Sequence, residues 1–129
     1  MKFKANEIFA DYDKNEILII GFLGKGFNDK QVYFLIQDSI EYDDQDRELG
    51  MDNYYIEKND QSMGCYGGIN KLRLFKNRIQ IDLNKKGIQN LKETNFDIEF
   101  ECECDSDEFE NLQRKLNQVF SNGELLLTS

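Results

Sequence analysis

The chain has 129 residues, 40% of them hydrophobic and 32% charged, and carries a net charge of −9. That length supports one compact core and not two ordinary domains, so a single domain over 1–129 is expected, and the apolar content argues against disorder. The acidity disfavours nucleic acid as a partner, because affinity for phosphate backbones comes mainly from Lys and Arg, and favours encounter with basic proteins.

The opening segment places apolar residues at Phe3 and Ala5, then at Ile8, Ala10 and Tyr12. The parity changes near Asn6 and Glu7, which predicts a strand with a bulge or break there. Asp13, Lys14 and Asn15 are turn residues ahead of ILIIGFLG, a continuous apolar run suited to a central strand covered on both faces. GKGFND closes that strand as a loop, and Gln31 to Gln37 forms a third strand rich in β-branched and aromatic residues. The acidic stretch Glu41 to Asn53 has little periodicity and reads as a surface loop, after which Tyr54 to Lys58 returns to strand character before a glycine-rich loop.

Leu72 and Leu74, then Ile79, Ile81 and Leu83, alternate with polar residues around Lys76 and Asn77, which predicts a hairpin. A short helix over Lys85 to Lys92 would bury Ile88 and Leu91, with Gly87 weakening it. Phe96 to Cys104 alternates strictly, with Phe96, Ile98, Phe100, Cys102 and Cys104 on one face and Asp97, Glu99, Glu101 and Glu103 on the other. Asp105 and Glu108 then have N-cap and N3 spacing, and Phe109, Leu112, Leu116, Val119 and Phe120 mark one stripe of a C-terminal helix. The expected class is α+β: an antiparallel sheet of short strands, with the C-terminal amphipathic helix packed on one face and a short second helix.

Reactive chemistry is scarce, since the chain has no His and so lacks the usual general base, the commonest metal ligand and the middle member of a nucleophilic triad. Asp11, Asp13 and Asn15 copy half of a calcium loop, but Glu16 and Phe22 stand where Gly and Glu are required, so a hairpin turn is the better reading. Gly21, Gly24 and Gly26 around Lys25 lack phosphate-loop spacing and the following Ser or Thr. Cys102 and Cys104 point the same way on a strand and cannot complete a zinc site, while Cys65 lies in a loop with no activating cation. No cofactor, metal or catalytic residue is expected.

Three cysteines, with no export signal at MKFKANE and no apolar run of about 18 residues, point to the reducing cytoplasm and to no membrane partner. Candidate partner contacts are the acidic loop (Asp43, Asp44, Asp46, Glu48), the acidic stripe (Glu99, Glu101, Glu103) and Tyr66 in GCYGG, a motif that either plugs the core or presents a rigid aromatic.

Leu49 to Asn84, with Asp60, Gln61, Cys65, Tyr66, Gly67, Gly68 and Ile69 forming a DQ…GYGGI-like core, resembles the immunity protein 10 family of bacterial polymorphic toxin systems. Weaker similarity reaches upstream through FLIQDSIEYDDQD and downstream to DEFENLQRKLNQVF, about residues 31–120, leaving the first thirty outside. The resemblance implies a protein encoded beside a toxin, which it binds and neutralises in the producing cell; Asp60 and Gln61 join the contact candidates on that basis. It transfers no catalytic residue. Two other classes compete. A general acidic protein-binding module predicts no toxin neighbour, and a carboxylate-dependent hydrolase predicts two carboxylates converging in a concave site.

Overall fold

The structure, a computed structural model, describes residues 1–26, 29–39, 54–101, 106–120 and 125–127. Strand β1 (Lys2–Tyr12) opens the chain and bends at a register shift between Ala5 and Glu7, the parity change in the sequence. A tight turn leads into β2 (Ile17–Lys25), then follow β3 (Gln31–Ser39), β4 (Tyr55–Lys58) and β5 (Asp60–Tyr66), each antiparallel to the one before. In the first turn Asp13 Oδ1 accepts the backbone N–H groups of Asn15 at 2.8 Å and Ile17 at 3.0 Å. The carboxylate resembling a calcium ligand is therefore a turn residue.

A second antiparallel group comprises β6 (Ile69–Leu74), β7 (Arg78–Leu83) and β8 (Asn95–Phe100), with helix α1 (Lys85–Leu91) between β7 and β8. Helix α2 (Ser106–Val119) and the short β9 (Leu125–Leu127) complete the chain. Among the described residues the strands form one nine-stranded sheet in the order β5-β4-β3-β2-β1-β8-β7-β6-β9. The α+β class and both helices stand, but two features of the expected sheet are corrected. The sheet is mixed, because β1 pairs parallel with β8 and β6 parallel with β9. Its strands are not uniformly short, since β1 runs for 11 residues and β2 and β3 for 9 each.

This sheet curls onto itself. Phe34 on β3 and Phe96 on β8 have ring centroids 4.6 Å apart, although two strands lie between theirs in the sheet order. In a flat sheet three strand spacings would hold them roughly 14 Å apart. The concave face encloses the core, where Ile20, Phe34, Ile36, Ile56, Leu72 and Ile98 are all inaccessible to solvent. The curl brings the edge strand β5 to β6, and the two are joined by Gly67 and Gly68 alone, at φ 74° and 99°. Most side chains are strained at such angles, so glycine at both positions sets the link.

The glycine-rich segment expected as a loop is thus mostly strand, and Cys65 is a buried residue of β5, its thiol pKa pushed up by burial. Helix α1 packs against this link. Gly68 O accepts the N–H of Asn84 at 2.9 Å, and a Cβ on Gly87 would stand 2.3 Å from that same oxygen. Gly87 is therefore the contact that seats α1, while Ile88, expected to be buried, is 37% exposed. Asn84 caps the helix through its side chain, which accepts the Gly87 N–H at 3.0 Å. At α2 the predicted stripe holds: Leu112, Leu116 and Phe120 enter the core, Phe109 and Val119 pack at its margin, and Phe120 meets the Tyr54 ring edge-on at 4.8 Å. Asp107 and Glu108 occupy its first turn, where the helix dipole favours acids, and Asp105 lies outside the described residues.

Among the described residues one cation is buried, Lys58. Its Nζ lies 3.0 Å from Glu93 Oε1, and the Met1 α-amino group lies 3.3 Å from Oε2. Burial alone would raise the Glu93 pKa, but the Lys58 hydrogen bond and the two positive charges outweigh it and hold the carboxyl below its ordinary value.

Candidate functional site

The convex face of β1 to β5 departs from the polar outer surface usual for a one-sided antiparallel sheet. Its central row runs Phe9, Gly21, Leu35, Glu57 and Gly64 across the strands. On one side lie Glu7, Leu23 and Tyr33, and on the other Asp11, Ile19, Gln37, Tyr55 and Tyr66. Phe9 is 51% exposed and its ring lies over Gly21, where a Cβ would stand 2.6 Å from Cζ. Ile19, Leu23 and Leu35 are half-buried. The sequence suggested that β2 is covered on both faces. Among the described residues neither helix supplies a cover here, for α2 packs into the core at the Ala10 and Tyr12 end of β1 and α1 packs against β5 and β7.

Glu57 sits within this face at 9% exposure. Its Oε2 accepts the Tyr33 hydroxyl at 2.5 Å and its Oε1 the Tyr55 hydroxyl at 2.8 Å. Burial and the adjoining carboxylate push the Tyr33 pKa up to about 12 and raise that of Tyr55 further. At neutral pH both phenols are therefore hydrogen-bond donors and not bases. Tyr66 meets Tyr55 edge-on at 5.3 Å, and Gly64 leaves the space that the Tyr55 hydroxyl occupies. The cluster is three aromatic rings around one fixed carboxylate. Among the described residues no Lys or Arg pairs with that carboxylate.

Of the residues singled out in the sequence, the structure brings Asp60 and Tyr66 to this region. Asp60 is exposed at the start of β5, where its Oδ1 accepts the Ser62 N–H at 2.8 Å. Between Asp60 and Gly64 the β4–β5 register shifts, and Gln61 lies within that irregular stretch. Much of the DQ…GYGGI core thus serves the fold itself, for Asp60 shapes a turn, Cys65 and Ile69 fill the core, and Gly67 and Gly68 join the two strand groups. Glu99 is elsewhere, on β8, with Lys4 and Arg78 as its cross-strand neighbours. It borders a groove of about 210 Å³ that is also lined by Lys2, Lys4 and Lys25, so its surroundings are of mixed charge. Glu101 is exposed just beyond β8. Asp43, Asp44, Asp46, Glu48, Glu103, Cys102 and Cys104 lie outside the described residues. Tyr33, Tyr55 and Glu57 were missed in the sequence. Their signal was the odd-numbered positions of β3, where Tyr33 and Leu35 are nonpolar although Val32, Phe34 and Ile36 already fill the core face.

Among the described residues no group of three His, Cys, Asp or Glu is arranged to hold a metal, and no helix is long and apolar enough to cross a membrane. What the fold offers is a sheet face of aromatic and aliphatic side chains, with Glu7, Asp11 and Asp60 along it and Lys4 and Lys25 at one end. The chain belongs to the immunity protein 10 family, whose model matches residues 4–110. The match begins within β1 and takes in β2, both of which the sequence resemblance had left outside, and ends within α2. Comparison with curated proteins and with solved structures finds no match.

Proposed function

We propose that this protein binds a cognate bacterial toxin in the cytoplasm of the producing cell and neutralises it by occupancy, with no catalytic step of its own. Family membership supports an immunity role. The observation that carries the binding mode is the convex face of β1 to β5, in which exposed and half-buried nonpolar side chains surround a carboxylate held by two phenols. A neutraliser needs a stable scaffold and a complementary surface, and the −9 charge suits a basic toxin.

The test is co-expression with the product of the adjacent gene. Rescue of growth together with a co-purifying complex is expected. Growth arrest that persists despite soluble expression of this chain sinks the reading. A complex with an unrelated basic protein, formed without any toxin neighbour, would favour the general acidic binding module.

A further inference from the structure

The convex face of β1 to β5 combines two features that point to one kind of occupant. Its centre is nonpolar, with Phe9, Ile19, Leu23 and Leu35 exposed or half-buried on the sheet. The charges within its three rows have one sign, those of Glu7, Asp11 and Glu57, and Asp60 acts on Tyr33 from their border, while Lys4 and Lys25 form the next row beyond Glu7 and Leu23. A second copy of this chain would set like charges against each other on two molecules of net charge −9. The complementary occupant is a basic protein surface with a nonpolar centre.

Glu57 narrows that chemistry further. Each of its oxygens accepts one phenol and keeps lone-pair capacity, which a partner's N–H groups would reach through the 9% of the residue that stays exposed. The flanking Tyr33 and Tyr55 rings suit a planar cation better than a compact ammonium. Resting on the immunity reading, we propose that the toxin docks on this face, seating an arginine guanidinium on Glu57 between Tyr33 and Tyr55 and a nonpolar side chain against Phe9 and Leu35. Partner recognition is thereby assigned to residues of β1, β3 and β4, away from the acidic stripe of β8.

The test is titration calorimetry of the purified chain with the adjacent gene's toxin, alongside the thermal midpoint of every variant. Glu57→Gln is expected to weaken binding at least tenfold and Leu35→Arg at least a hundredfold, while Gln80→Arg on β7 stays within threefold of the parent. Phe9→Glu, at the most exposed of these positions, replaces Leu35→Arg if that variant does not fold, and is expected to weaken binding at least tenfold. Parent-like affinity in both Glu57→Gln and the hydrophobic-site variant overturns the proposal while leaving the immunity reading intact. Loss of binding in Gln80→Arg overturns it in favour of the opposite side of the sheet. Self-association of the chain that Phe9→Glu abolishes also overturns it, making the face an interface between copies. If the parent chain binds no toxin, the immunity reading falls, and this proposal with it.

Discussion

Glu57 is a carboxylate at 9% exposure, and its position depends on two phenols that keep their protons. Tyr33 and Tyr55 have pKa values raised above the ordinary 10.0, Tyr33 to about 12. In the unfolded chain both ionise near pH 10, so above that pH the unfolded state binds fewer protons and stability falls as pH rises. Burial, the largest cause of the Tyr33 shift, persists in Glu57→Gln, but the adjoining negative charge is removed, so the Tyr33 midpoint in an ultraviolet absorbance titration is expected to fall below about 12 while staying above 10. An unchanged midpoint would separate Tyr33 from Glu57. Glu93 works in the opposite direction. Its folded pKa lies below its unfolded value of 4.5, so its stabilisation is present above that pH and is lost as pH falls through the folded value. Glu93→Gln is expected to lose about 1–3 kcal/mol in urea unfolding at pH 7, the range for breaking a part-buried charge pair, and to converge with the parent in strong acid.

At the scale of elements, alternation foretold most strands and the stripe of α2, because burial of one face imposes those periods directly. It did not foretell that β1 pairs parallel with β8, since periodicity identifies a face and not a neighbour. Nor did it reveal β5, whose glycines read as a loop although only Gly67 and Gly68 turn the chain. The candidate site was legible in fragments. Asp60 and Tyr66 were singled out, whereas Tyr33, Tyr55 and Glu57 form a cluster only once β3, β4 and β5 lie side by side. Gly87 shows how local propensity misleads: alanine is the better helix former, by about 1 kcal/mol. Gly87→Ala is nevertheless expected to destabilise by about 1–3 kcal/mol in denaturant, because the added methyl meets the backbone oxygen of Gly68. A stabilised variant would mean that α1 moves aside freely.

For the whole molecule, the net charge of −9 would act over distance, ahead of the contact proposed for the convex face. If the toxin is basic, stopped-flow association should slow at least about tenfold between roughly 0.01 M and 1 M salt, with dissociation changing less. Salt-independent association would remove charge from the recognition scheme. The strand order has another consequence. Residues 1–66 build one five-stranded meander, β1 to β5, and the remaining strands build the other group. The polypeptide passes between the groups at Gly67 and Gly68, and the β1–β8 ladder joins them along another margin. Produced as separate fragments, 1–66 and 67–129 each carry an unsatisfied strand margin that only the other completes, so they are expected to co-purify as a reconstituted domain. The chain is, in this sense, two complementary groups of strands that happen to be covalently tied at a pair of glycines.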